Sequence, residues 1–248
     1  MSRIPCISRH LAGSSAGAVD YFNRLLGDLA PPHVMQHFDQ LRSRINAILD
    51  REQSSHALAQ VSKFPWLYGA IGQVPSEIMF VCENPSFAGV EAAHVETIDG
   101  GPPDIEAQWW GGPRNPAATR FRCVLCELGL KTNGVAERGG WNCYITNVIK
   151  AANVAKEQSA IGSKALAAQA QIWAPVLAWE MERVAPRHLF CVGGKAAKAV
   201  KLLQKERLIP RVSLSEICHY SARGSHEKVR SEMLAGIRQG LQTLRARA

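Results

Sequence analysis

Short runs rich in apolar residues recur along the chain, and each one ends in polar or glycine-rich positions. The runs occupy residues 78–81, 143–146, 188–192 and 212–218. Runs of this length, bounded by turn-forming residues, predict buried strands of a parallel sheet. Because parallel strands end at the same edge of a sheet, we expect the polar groups that follow them to meet along one rim. In open α/β sheets this is the edge where ligands bind.

Amphipathic helices are predicted between and around these runs. The pattern over residues 33–52 brings five apolar side chains to one helical face, namely Val34, Phe38, Leu41, Ile45 and Leu49. Helical patterns also cover residues 15–27, 119–128, 164–184, 194–206 and 226–246, and residues 99–118 form a loop rich in Gly and Pro.

Strands that alternate with helices predict an α/β fold, here a three-layer α/β/α domain with a short, mainly parallel central sheet. A chain of 248 residues can bury the core of one such domain, so we expect a single domain over residues 1–248. In this interpretation residues 1–60 are an N-terminal helical extension, and residues 75–235 are the core that carries the motifs.

The positive charge of the chain is concentrated in its last third. Residues 181–248 hold 14 Lys and Arg against 5 Asp and Glu, whereas residues 1–180 hold 15 basic and 16 acidic groups. A basic face of this kind suits the phosphate backbone of a nucleic acid. A solvated helix surface is the alternative, because Lys195, Lys198, Lys201 and Lys205 recur at helical spacing.

The localisation that we expect is cytoplasmic, or nucleoid-associated if the protein is bacterial, with no membrane partner. No apolar run is long enough to span a bilayer, and the first residues lack the apolar stretch of a secretory signal. The 7 cysteines are an odd number and are scattered, which argues against a disulfide framework. Cys123, Cys126 and Cys143 raise the possibility of a metal site, but their apolar surroundings favour buried structural thiols.

Polar motifs stand at the ends of the runs. The first comprises Cys82, Glu83, Asn84, Pro85 and Ser86, the middle one covers residues 144–150, and the last is a His-x-Ser turn at residues 219–221. In this order they resemble the motifs of the uracil-DNA glycosylase superfamily. The Asn-Pro pair is similar to that of the mismatch-specific relatives, and the middle motif is closest to the thermophile-type branch. Residues 173–175 and 186–197 look like the linking helix and the third strand.

This resemblance implies a DNA repair enzyme that flips uracil out of DNA and hydrolyses the N-glycosidic bond, leaving an abasic site. The expected partners are uracil-containing DNA and the abasic product, bound by a monomer without lyase activity. Asn84 would orient the attacking water, and Glu83 would supply negative charge or accept a proton. Asn147 would read the uracil edge, and His219 would stabilise the charge that develops on uracil O2.

The resemblance also assigns residues that surround the reacting base. Phe87 and Trp110 are the candidates for the aromatic group that stacks on it. The remaining substrate contacts would come from the first motif, through Cys82, Pro85 and Ser86. Ser221, Arg223, Gly193 and Lys195 would contact DNA, with the guanidinium of Arg223 entering the space that the base leaves.

The thermophile-type branch carries an iron–sulfur cluster on four cysteines, two of them in an N-terminal Cys-x-x-Cys. The N-terminal region here offers only Cys6, so we predict no cofactor. Two other functions remain open. The same fold could bind lesions or abasic sites in DNA with little or no catalysis, because Asn84 and Tyr220 depart from the usual Asp and Pro. A Rossmann-like enzyme could instead hold a nucleotide cofactor at Gly193 and Gly194.

Overall fold

A computed structural model of the protein describes residues 32–52, 70–84, 116–150 and 163–246. These residues form five strands, which are β1 (Ile71–Gly72), β2 (Ile78–Cys82), β3 (Tyr144–Asn147), β4 (His188–Val192) and β5 (Ser213–Ile217). They also form five helices, which are α1 (Pro32–Arg51), α2 (Pro116–Glu127), α3 (Ser163–Val184), α4 (Gly194–Lys205) and α5 (His226–Arg245).

The strands form one sheet in the order β1-β3-β2-β4-β5. The predicted strands β2, β3, β4 and β5 pair in parallel, so their carboxyl ends lie at one edge, as the sequence indicated. This edge is called the rim below. The edge strand β1 was not predicted; it pairs antiparallel with β3 and is only two residues long, too short to show a periodicity.

Helices cover both faces of the sheet, which confirms the three-layer α/β/α architecture. Successive side chains of β2 point to opposite faces. Met79 and Val81 pack in the cluster that includes α1, α3 and α4, whereas Phe80 and Cys82 pack in the cluster that includes α2 and α5. Strands β2, β3 and β4 supply side chains to both clusters, which explains why they are apolar at consecutive positions.

The predicted helices agree with the observed ones to within three residues at each end. The helix predicted at 15–27, and the part of the Gly- and Pro-rich loop before Pro116, lie outside the described residues. The division into a core and an N-terminal extension stays a prediction, although α1 contributes Leu41 and Ile45 to the main core. Within the described ranges, no helix has the length and apolar content needed to cross a membrane.

Candidate functional site

Backbone hydrogen bonds join the ends of β2 and β3 at the rim. Cys82 and Asn147 are partners in the parallel register. Beyond it, the Val148 N–H donates to the Cys82 carbonyl at 2.8 Å, and the Ile149 N–H donates to the Glu83 carbonyl at 2.9 Å. These bonds hold the first and middle motifs side by side. Asn147 is buried at the end of β3, so its amide has a fixed protein environment.

An ion pair joins the end of β2 to the start of α4. The ammonium Nζ of Lys195 lies 3.2 Å from Glu83 Oε1, and the Glu83 side chain is only 18% exposed. Asn84 follows Glu83 directly and is half-buried. Lys195 was expected to contact DNA, and that role stays a prediction. Its amine pairs with a carboxylate 112 residues away in sequence, at the centre of the rim.

The hydrogen bonds of His219 define which of its ring nitrogens carries the proton. Nδ1 lies 3.1 Å from the Ser221 backbone nitrogen, which donates to it, and 2.7 Å from Ser221 Oγ. A ring nitrogen that accepts from an N–H is unprotonated, so the neutral ring carries its proton on Nε2. Burial, with a further contribution from the positive charge of Lys195, lowers the pKa of His219. The ring is therefore a neutral Nε2–H donor.

Gly193 supports one side of the His219 ring. It precedes α4 with φ 88° and ψ 156°, a conformation that essentially only glycine adopts. A Cβ at this position would lie 3.1 Å from His219 Cδ2, closer than ordinary contact. The Gly193 N–H donates to the Ile217 carbonyl at 2.9 Å, so this amide is already engaged within the protein and is not directed at a phosphate.

Tyr220 supports the other side of the His219 loop and was not predicted as a site residue. Its ring stacks on Phe121 with centroids 5.5 Å apart and lies 4.4 Å from the His219 ring centroid. Its carbonyl accepts from Arg120 Nη1 at 2.8 Å. The family pattern has Pro at this position, a residue that would make the loop rigid by itself. Packing against α2 holds this loop instead, a long-range contact that has no local sequence signal.

The other predicted site residues occupy different environments. Ser221 and Arg223 are exposed in the turn between β5 and α5, open to a ligand at the rim. Cys82 is buried in the core, and this burial raises the pKa of its thiol far above the usual range. The remaining predicted contacts lie outside the described residues: Pro85, Ser86, Phe87 and Trp110. The assigned roles stay predictions.

The described cysteines do not fit a metal cluster. The Cys126 thiol donates to the Asn133 carbonyl at 3.4 Å, and the buried Cys143 thiol donates to the Leu130 carbonyl at 3.6 Å. Among the described residues, no group of three or more His, Cys, Asp or Glu side chains is placed to hold a metal ion. Cys6 lies outside these ranges, and the prediction that the chain has no cofactor stays a prediction.

The rim thus brings together buried Asn147, the Glu83–Lys195 pair beside Asn84, and a neutral imidazole N–H donor. The model of the uracil DNA glycosylase superfamily matches residues 70–238, a segment that contains all of these groups. The chain belongs to the uracil DNA glycosylase superfamily. Membership indicates a glycosylase-type function in DNA repair, with DNA as the substrate. No curated protein matches the chain in a sequence comparison.

Proposed function

We propose that the protein excises uracil from DNA and leaves an abasic site, without cutting the strand. The observation that carries this proposal is the hydrogen bond that His219 Nδ1 accepts from the Ser221 N–H, which leaves the ring's Nε2–H as a donor. When the glycosidic bond breaks, negative charge accumulates on the departing uracil. A preorganised donor at uracil O2 stabilises that charge, and loss of such a donor costs about 10²–10³ in rate.

Asn147 supplies the selectivity of the proposed reaction. An amide accepts from uracil N3–H through its oxygen and donates to uracil O4 through its nitrogen. Cytosine presents the opposite pattern at both atoms, so the same amide orientation rejects it. By analogy with groove recognition, such a bidentate contact contributes about 1–3 kcal/mol of discrimination. The burial of Asn147 favours this role because a fixed amide cannot rotate freely to suit either base.

Glu83 and Asn84 act on the sugar side of the bond. The Glu83 carboxylate offers negative charge to the developing sugar cation, and Lys195 fixes its orientation through the 3.2 Å ion pair. Asn84, the next residue, orients the water that attacks the sugar, for which an amide suffices once the bond is largely broken. Engagement of the Lys195 amine by Glu83 supports hydrolysis by water over Schiff-base attack on the sugar.

DNA contacts would come from the exposed turn that follows His219. Ser221 would contact a phosphate, and the Arg223 guanidinium would stack in the space that the extruded base leaves. The basic last third of the chain would track the backbone. We propose that the protein acts as a monomer in the cytoplasm, with uracil-containing DNA as substrate.

The test is single-turnover excision on labelled single-stranded and duplex DNA containing uracil, with alkali used to cleave the abasic product. We expect strand cleavage only after alkali, and no covalent adduct after borohydride reduction. His219→Ala and Asn84→Ala should each lower the rate by about 10² or more with little loss of DNA affinity. Glu83→Gln should cause a smaller loss. Tight binding of uracil-containing or abasic DNA without excision would instead support a lesion-binding protein.

A further inference from the structure

A buried polar cluster lies behind β3, on the face opposite to Asn147. Lys150 and Glu180 form an ion pair in which both side chains are 0% exposed. Glu180 Oε1 also accepts from the hydroxyls of Tyr144 and Thr146, each at 2.8 Å. Lys150 Nζ donates to Thr146 Oγ1 at 2.5 Å, and the Tyr144 hydroxyl lies 3.0 Å from His37 Nε2.

Apolar side chains of similar volume would fill this space without the desolvation penalty of two buried charges. Burying two charges carries a desolvation penalty, and exchanging a buried ion pair for apolar side chains of similar volume is often neutral or stabilising. Burial lowers the pKa of Lys150, and the adjacent Glu180 opposes that effect. Stability alone therefore gives a weak reason for the cluster.

The positions of Thr146 and Lys150 along the chain, on either side of Asn147, indicate a role of the cluster in the candidate site. Lys150 returns to Thr146 across the intervening turn, so the two residues enclose Asn147. Val148 and Ile149, in the same turn, donate their N–H groups to the carbonyls of Cys82 and Glu83. A clamp on this turn from α3 thereby fixes the backbone on both sides of Asn147 and the end of β2.

We propose that Lys150 and Glu180 are positioning residues that hold the Asn147 amide in the orientation needed to read the base. The proposal rests on the proposed function, because it takes Asn147 as the reader of uracil. Strand alternation directs Thr146 toward α3 and Asn147 toward the opposite face, so Glu180 acts on the amide through the β3 backbone. A small misplacement of such a group lowers the rate of a positioned reaction steeply.

The central test is the double variant Lys150→Met with Glu180→Leu, which removes both charges and retains their approximate volume. We expect it to fold and to bind undamaged duplex with wild-type affinity, while single-turnover excision of uracil falls about ten- to a hundredfold. Two milder variants test the contact of the Thr146 hydroxyl with Glu180 and Lys150. Thr146→Val should lower the rate of uracil excision, whereas Thr146→Ser, which retains the hydroxyl, should keep the wild-type rate.

A second readout does not depend on activity. In the double variant, amide hydrogen exchange at Val148 and Ile149 should accelerate, while exchange at Leu189 in β4 stays unchanged. Lys131→Met is the matched control, because Lys131 is also buried but donates to the carbonyls of Glu137 and Gly139, away from the rim. Lys131→Met should leave amide exchange at Val148 and Ile149, and the rate of uracil excision, at wild-type values.

The outcomes separate this inference from the proposed function. A folded double variant with wild-type excision and wild-type exchange at Val148 would overturn the positioning role. If the wild-type protein excises no uracil, the proposed function fails, and the exchange measurement alone decides whether the pair clamps the turn. Equal losses of excision in the double variant and in Lys131→Met would show a general effect of losing a buried lysine and would also overturn the inference.

Discussion

Substitution of Gly193 by alanine tests the site through a single carbon atom. The residue adopts φ 88° and ψ 156°, which strains an L-residue by about 1–3 kcal/mol. The added Cβ would lie 3.1 Å from His219 Cδ2 and 3.2 Å from His219 Cβ. The imidazole must then move by a few tenths of an ångström. Since a misplacement of about 1 Å costs roughly 10²-fold, we expect a loss of about tenfold in excision rate.

Gly129 and Gly194 provide controls for the two parts of this effect. Gly129 has φ 70°, and an added Cβ there meets nothing within 4 Å, so Gly129→Ala introduces backbone strain far from His219. Gly194→Ala places a Cβ 3.1 Å from Glu216 Oε1, the mobile end of a side chain that can move away. We expect Gly129→Ala to lose stability without losing activity, and Gly194→Ala to retain both.

The assay pairs urea unfolding with single-turnover excision of uracil from labelled DNA. Gly193→Ala should lower both the free energy of unfolding and the rate, and the rate loss should persist at temperatures where the variant is fully folded. A variant with the wild-type rate and stability would refute the contact between Gly193 and His219. A rate loss of equal size in Gly129→Ala would attribute the effect to stability alone.

Four further predictions follow from other parts of the structure. Asn147→Asp should abolish uracil excision while DNA binding survives, because a carboxylate repels uracil O4; near wild-type rates would remove it from the pocket. Gly240→Ala should cost about 1–3 kcal/mol in urea unfolding, since its Cβ would lie 2.3 Å from Phe190 Cε1; an unchanged midpoint would contradict that packing. Burial lowers the pKa of His37 to about 4. In the unfolded state His37 has its ordinary pKa, so the unfolded protein takes up this proton at a higher pH than the folded protein does. As the pH falls from about 6.5 to 4, the free energy of unfolding should therefore fall by on the order of 2–3 kcal/mol; His37→Gln should flatten this dependence. DNA affinity should fall steeply with salt, and Arg223→Ala should weaken binding of the abasic product more than of intact duplex; a flat salt response would favour a merely solvated basic surface.

The strands and helices could be predicted because their patterns are local. The apolar run that becomes β4 matches the observed strand at both ends, and the helix at 194–206 is one residue longer than α4. Their parallel arrangement followed from the alternation of strands with helices. The two-residue strand at Ile71 carries no such pattern, and it forms only because β3 offers an edge to pair with.

The partners within the site could not be predicted in the same way. Lys195 has the sequence context of a basic helix surface, and only the tertiary structure brings it to Glu83. Glu180 belongs to a helix that also contains Glu182, so nothing in the sequence sets it apart. Its partner in the buried ion pair, Lys150, lies on a different segment. Charge pairs of this kind are formed by residues more than 25 positions apart, so no periodicity in the sequence reveals them.

The aromatic contacts behind His219 affect whether its loop can be grafted into another member of this superfamily. Phe80 meets Phe121 edge-on at 5.4 Å, Phe121 stacks on Tyr220, and Tyr220 touches His219, so a row of rings runs from the sheet to the rim. A loop whose conformation is fixed by its own proline keeps that conformation when the segment is transferred to another protein. Here it is supplied by another helix, so a graft of residues 219–221 into a relative should succeed only when the ring at position 121 is transferred with it.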